Sequence, residues 1–411
     1  MTKLLTQIAI FHLFFVISLL AISKLPCSID CEIKFFPGRP VLNFTWFFNL
    51  NCSDLKKYHD SIDPSQLSRT LLTKRKFNIY CAINPSCLLQ SNVYTGLFRN
   101  AYLGRICSVE NSHIKLYKKD VPVDYQMKIV GFYDVGIAYV QHYWQWGHVI
   151  HDFCSGLMYL PEHLKNVHVI TLQTNAGYYH TIQWLNFLGY NATVLNLNNQ
   201  EQVFVKELYF VTGCEHAHSV TIGGIKRLRT VVRNKLNLTT IKPTKYYVFN
   251  RVGRNLRQIH NHEQLLEALN KDVKLPDNQV WHYYAPFIKK IEYAAKFFAH
   301  IRAFICPSGS TVYNTIYMQE KTPMLLIFGH FDKPNIQLCL TSNLYMIGIT
   351  IPLPKNLSAN YLVNIPQAVT LDKKIVYCSE HGHWDNTLGL VHAVTKGDYN
   401  FDPIIDVPMK N

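Results

Sequence analysis

The strongest apolar pattern stands at the start of the chain. Leu4 to Ile22 form 19 residues without a charged group, bounded by Lys3 and Lys24 and diluted by Thr6, Gln7, His12 and Ser18. A run of that length spans bilayer hydrocarbon as a helix, which predicts a signal-anchor. A cleavable signal peptide ending at Ala21-Ile22-Ser23 is the rival reading, and a buried N-terminal helix a third. The first two send residues 25–411 into the secretory pathway.

Residues 24–125 show no clear period and read as loop-rich, broken by Pro26, Pro37, Pro40, Pro64 and Pro85. From about residue 126 the pattern changes. Short β-like runs at 137–140, 167–172, 194–197 and 203–212 alternate with helical spacing at 146–160, 178–188 and 225–236. After Pro243 the rhythm restarts, with strands expected at 246–250, 280–283, 303–306 and 324–328 and helices at 263–269, 287–299 and 310–318. Strands alternating with helices of this length build right-handed βαβ units. The expected fold class is therefore α/β, with two Rossmann-like domains facing a cleft. The expected organisation is a signal-anchor or signal peptide at 1–23, a Cys-rich stem at 24–125, domains at 126–242 and 243–345, and a C-terminal segment, 346–411, that packs back on them.

Composition sharpens this. Apolar residues at 48% exclude a disordered chain, and ordinary Gly and Pro contents exclude a fibre. Five N-x-Ser/Thr triplets, at Asn43, Asn51, Asn191, Asn237 and Asn356, fit export. So do six cysteines crowded before residue 110 (Cys27, Cys31, Cys52, Cys81, Cys87 and Cys107), which read as disulfide bracing. The total of 11 is odd, so at least one thiol is free or pairs between chains. The net charge of +14 admits polyanionic partners, but no Cys/His array has zinc-finger spacing, and the export signal argues against nucleic acid. The charge is concentrated: no acidic residue lies between Glu215 and Glu263. About half of the basic groups there fall on the outer face of the 225–236 helix, where they read as solvated surface.

Three constellations carry candidate chemistry. In Trp146-Gly147-His148-Val149-Ile150-His151-Asp152-Phe153, helical spacing sets an apolar stripe against a face bearing His148, His151, Asp152 and Ser155. A carboxylate four residues from an imidazole can hold its tautomer and raise its basicity, as a general base requires. The same face also reads as an ordinary solvated one, or as a metal site without the usual pattern. Next, Arg251, Arg254 and Arg257 follow a strand, with Gly253 between them, where α/β sheets bind ligands and guanidinium groups grip phosphate; a solvated basic loop is the plain alternative. Last, Pro307-Ser308-Gly309-Ser310-Thr311 leads into a helix N-terminus, an anion site or a simple cap. Near the end of the chain, Cys378, His381, His383 and Asp385 cluster; a surface turn with a disulfide cysteine is the favoured reading over a metal site.

In this order the motifs resemble glycosyltransferase family 61 over residues 130–330. The family typically carries aromatic-x-His-x-x-x-Asp, matched by Trp146, His148 and Asp152. It continues with Arg-x5-Arg-x-Ile-x-Asn before a Glu-bearing helix, matched by Arg251, Arg257, Ile259, Asn261 and Glu263. A GxxxTN loop follows, matched by Gly309, Ser310 and Asn314. Three positions depart: Ser308 stands for a frequent His, Tyr313 for the usual Thr, and Leu326 for a Glu plausibly used on ribose.

The resemblance implies a GT-B fold, with acceptor bound by the 126–242 domain and nucleotide sugar by the 243–345 domain. It implies inverting transfer without a metal or other cofactor, the nucleotide sugar being a co-substrate and the acceptor a glycan or glycoprotein hydroxyl. His148 and Asp152 would supply the base. Arg251, Arg257, Asn261, Ser308, Gly309, Ser310, Thr311 and Asn314 would bind the donor and its diphosphate. With the N-terminal run as anchor, the protein would be a single-pass type II membrane protein of Golgi or endoplasmic reticulum with a luminal catalytic region; it would be secreted if that run is cleaved. The altered third motif raises the alternative of a catalytically silent luminal binding or scaffold protein.

Overall fold

The structure is a computed structural model of the chain and describes residues 56–73, 77–79, 89–104, 108–110, 113–115, 128–139, 146–172, 178–198, 200–212, 221–251, 257–284, 290–329, 332–351, 360–385, 391–393 and 401–403. The apolar run Leu4–Ile22, the six crowded cysteines, Arg254, Asn43, Asn51 and Asn356 lie outside the described residues. No helix among the described residues is long and apolar enough to cross a membrane.

Along the chain, β1 (Lys56–Ser61), β2 (Thr70–Thr73) and β3 (Gln90–Gly104) come from the segment that shows no period. Then follow β4 (Lys128–Tyr139), α1 over residues 146–157, β5 (His168–Leu172), α2 (Tyr178–Leu188), β6 (Asn191–Leu195), β7 (Glu201–Thr212) and α3 (Ile222–Lys235). After Pro243 come β8 (Lys245–Phe249), α4 (His262–Asp272), β9 (His282–Tyr284), α5 (Ile291–Ala299) and β10 (Ile301–Pro307). A 3-10 helix, Ser310–Tyr317, leads to β11 (Pro323–Phe328), α6 (Lys333–Thr341), β12 (Tyr345–Thr350), α7 (Ile365–His381) and β13 (Val391–Ala393).

Among the described residues, two larger sheets form a mixed α/β fold. The first has the order β1-β3-β7-β4-β5-β6; β3 pairs antiparallel with β1 and β7, and the rest are parallel. The second has the order β9-β8-β10-β11-β12-β2-β13, all parallel except the last. Segment 24–125 thus supplies strands to both sheets rather than loop alone. Its β2 pairs with β12 some 275 positions later, a contact that no local period can announce.

The second sheet is covered on both faces, so β11 and β12 are buried throughout and mostly apolar. Alternate residues face opposite ways. Ala303, Ile305, Leu325, Ile327, Ile347 and Ile349 meet Leu265 and Leu269 of α4 and Leu371 and Ile375 of α7. Phe304, Cys306, Met324, Leu326 and Phe328 join a larger core that also holds Ile137, Val169 and Val211 of the first sheet. That core runs through α1, α3, α5, α6 and the 3-10 helix, so one apolar interior ties the two sheets together.

The C-terminal cluster is resolved differently from the sequence reading. Cys378 is a free thiol buried in α7, as are Cys154, Cys306 and Cys339 in their own elements, and none of the four forms a disulfide. Asp385 pairs with Lys374 at 3.1 Å, His381 Nδ1 donates to the Tyr377 carbonyl, and His383 Nδ1 donates to the Trp384 carbonyl. With their polar atoms so engaged, these residues do not converge on a cation.

Candidate active site

The middle of α1, Val149–Cys154, is a π-helix, a wide turn that local α-helical spacing does not foretell. Its polar face is not solvated. His151 is 1% exposed, Asp152 5% and Ser155 0%, because α3 and the 3-10 helix lie across it. Two glycines permit that approach. A methyl group on Gly224 of α3 would strike the Ser155 carbonyl, and one on Gly147 would come 2.6 Å from the Tyr313 ring and 3.1 Å from Ser310 Cα. The 3-10 helix is fastened further by Trp146, whose Nε1 donates to Asn314 Oδ1 at 3.0 Å.

Within this cover the imidazoles and the carboxylate form a closed set. His148 Nδ1 lies 3.2 Å from Asp152 Oδ2 and 3.1 Å from His151 Nε2. His151 Nδ1 lies 2.9 Å from Asp152 Oδ1. Burial pushes the Asp152 carboxyl up, but the attraction of the adjoining imidazoles, His151 foremost, outweighs it and holds the group well below the usual carboxylate range. With Asp152 ionised, protons on both Nδ1 atoms leave no lone pair facing the carboxylate. That arrangement places the lone pair of His148 on Nε2, on a side chain that is 19% exposed while Asp152 is 1%.

Beside this set lie the arginines. Asn250, fully buried at the end of β8, accepts from the amides of Arg251 (2.9 Å) and Ile259 (2.8 Å) and donates to the Ile259 carbonyl, closing the loop between them. The Arg251 guanidinium rests on Gly309, whose φ of +135° only glycine adopts readily. Burial, and then the charge of Arg257, lower the Arg251 pKa to about 10. Arg257, itself at φ +68°, reaches the Ser308 carbonyl at 3.4 Å and Asp332 Oδ2 at 3.5 Å. The two guanidinium groups thus stand close enough to repel each other, with Asp332 beside Arg257, an arrangement that a bound anion relieves.

Residues 146–325 match the family described as Glycosyltransferase 61. Over this stretch, somewhat under half of its length, the chain is similar to that family. No curated protein matches the chain. The similarity suggests glycosyl transfer in general, the family's general substrates being a nucleotide-sugar donor and a glycan acceptor.

The residues expected at the site fall into two groups. His148, Asp152, Arg251, Arg257, Gly309, Ser310 and Thr311 are linked by contacts of Gly147 with Ser310, of Gly309 with Arg251 and of Arg257 with Ser308. The other three make their hydrogen bonds to the framework. The Asn261 amide donates to the Val363 carbonyl and accepts from the Val363 amide. Asn314 accepts from Trp146 and donates to the Thr311 carbonyl. Ser308 is 0% exposed and its amide bonds to the Ile327 carbonyl. The Gly309 amide is also engaged, by Asn335 Oδ1 at 2.6 Å. The first amides of the 3-10 helix, on Ser310 and Thr311, have no acceptor within it. Leu326 is fully buried in the core.

Sequence reasoning passed over Asp332, Asn335 and Arg229, and placed His151 on the polar face of α1 without counting it among the site residues. Asp332 caps α6, accepting from the Asn335 amide, and Pro334 follows in the first turn, a start signal that was there to read. Arg229 sits on the helix whose basic face read as solvated, yet it is 5% exposed. It donates to the carbonyls of Thr315 (3.1 Å), Ile316 (2.8 Å) and Met318 (2.6 Å), and Arg233 adds a bond to Met318 at 2.7 Å. These cations satisfy the C-terminal carbonyls of the 3-10 helix whose other end faces Arg251. One group among the described residues has three donors within 4.8 Å that could surround a cation: His148, His151 and Asp152. Here those atoms face one another at 2.9–3.2 Å.

Proposed function

We propose that the protein transfers a sugar from a nucleotide-sugar donor to an acceptor hydroxyl, with inversion and without a metal. His148 takes the acceptor proton at Nε2 as the acceptor oxygen attacks the anomeric carbon. The bond from that carbon to the diphosphate breaks, and Arg251, Arg257 and the amides of Ser310 and Thr311 receive the charge on the departing nucleoside diphosphate. Asp152 holds the His148 tautomer and stabilises the imidazolium. One observation carries this reading: Gly147 abuts Ser310 and Gly309 abuts Arg251, so base and cations are joined through two consecutive residues. The apolar run Leu4–Ile22 supports a membrane-anchored, luminal placement.

The buried Leu326 favours one rival, a family member that binds without transferring. A panel of nucleotide sugars, assayed for donor hydrolysis and for transfer with EDTA present, separates the two. Turnover that survives chelation and is lost in Arg251→Ala supports transfer. Turnover lost on chelation overturns the metal-free step, and diphosphate binding without turnover of any donor favours the rival.

A further inference from the structure

The geometry points to His151 as a positioning residue for the base, with its ring plane set by Tyr313 from the donor side; this rests on the transfer reading above. His151 is buried at 1% exposure and bridges three groups. One edge meets the carboxylate, with Nδ1 at 2.9 Å from Asp152 Oδ1. The other meets the base, with Nε2 at 3.1 Å from His148 Nδ1. One face is stacked on Tyr313, with centroids 5.0 Å apart and planes 19° from parallel.

The role follows from the proton count. When His148 accepts a proton at Nε2 it becomes an imidazolium that still carries a proton on Nδ1. That N–H has Asp152 Oδ2 at 3.2 Å and the His151 Nε2 lone pair at 3.1 Å as acceptors. His151 therefore shares in stabilising the charged form and holds the Nδ1–H tautomer before reaction, while touching neither donor nor acceptor. Tyr313 fixes the plane in which this lone pair points, and it fits only because residue 147 is glycine. Tyr313 belongs to the helix whose N-terminus faces Arg251, so the element beside the diphosphate also supports the base.

Two substitutions in the full chain separate bonding from packing. His151→Phe keeps a flat ring against Tyr313 and removes both nitrogens. His151→Gln loses the stack and keeps an oxygen that accepts from His148. A hydrogen bond to a charged group sets the expected loss: kcat of His151→Phe falls about 10- to 100-fold with donor KM little changed. His151→Gln recovers most of that loss. Wild-type kcat in His151→Phe overturns the proposal, as does an equal loss in both variants. The His148 tautomer, read from ring-nitrogen NMR shifts, needs no turnover: Nδ1–H in the wild type and a mixed population in His151→Phe. Unchanged tautomer populations overturn the positioning role even if transfer is established. Failure of the transfer reading shows instead as no turnover of any nucleotide sugar by the wild type.

Discussion

Gly309→Ala tests the junction between the helix start and the arginines. Residue 309 has a φ of +135°, where a side chain is strained whatever its surroundings. Backbone strain of this kind costs about 1–3 kcal/mol. The added methyl would also land on Arg251 Nη2, with Arg251 Cζ at 3.1 Å and Arg257 Nη1 at 3.6 Å. Restoring ordinary contact moves the buried guanidinium by about an ångström or more. A hydrogen bond to a charged group is worth about 1.5–3 kcal/mol, so pyrophosphate binding should weaken roughly 10- to 100-fold. Gly382→Ala is the control. Its φ is +72° at the end of α7 and nothing lies within 4 Å, so it carries only the backbone cost of about 1–2 kcal/mol. Urea denaturation gives the stability change of each variant, and calorimetric titration with inorganic pyrophosphate gives the affinity. Both variants should lose stability, and only Gly309→Ala should lose affinity. Affinity in Gly309→Ala within twofold of wild type would refute the placement of Arg251 at the anion site.

Two further outcomes follow from the buried charges. Arg229→Met takes the guanidinium from the carbonyls of Thr315, Ile316 and Met318; Thr315 keeps the Met318 amide and Met318 keeps Arg233, so the Ile316 carbonyl is orphaned, and at about 1–3 kcal/mol for that group denaturation should show a loss of at least ~1 kcal/mol, while an unchanged stability would contradict the clamp. For Asp152 the folded carboxyl titrates below its unfolded value, so its contribution is present above about pH 4 and is lost as pH falls toward the folded value. The stability gap between wild type and Asp152→Asn, measured by urea at several pH values, should shrink below about pH 4, and a pH-independent gap would exclude an ionised, stabilised Asp152.

Much of the framework could be read from the chain. Tyr178–Leu188 was expected as a helix at those bounds and is one, because an apolar stripe closed by Gly189 defines it locally. The buried strands after residue 300 announced themselves as short apolar runs between turns. The arginines at the end of β8 and the glycine loop were visible because each motif spans only a few residues. The strands of residues 56–104 were not visible. They pair mainly with segments far along the chain, and their apolar positions answer to those partners rather than to a local rhythm. Arg229 was misjudged for the same reason: it lies among basic surface residues in sequence, and only the carbonyls of the 3-10 helix give it a place inside.

By itself the sequence determined most of the strands and helices between residues 126 and 328, the resemblance to the family, and the pairing of His148 with Asp152, since four residues on a helix bring two side chains together wherever the helix goes. Tertiary structure decided what covers that pair. The bond from Trp146 to Asn314 joins positions 168 residues apart, and the stack of His151 on Tyr313 depends on the same contact between α1 and the 3-10 helix. Spacing along a helix fixes angles within one element. Burial, and with it the state of Asp152 and the bridging role of His151, depends on which other element closes over that face.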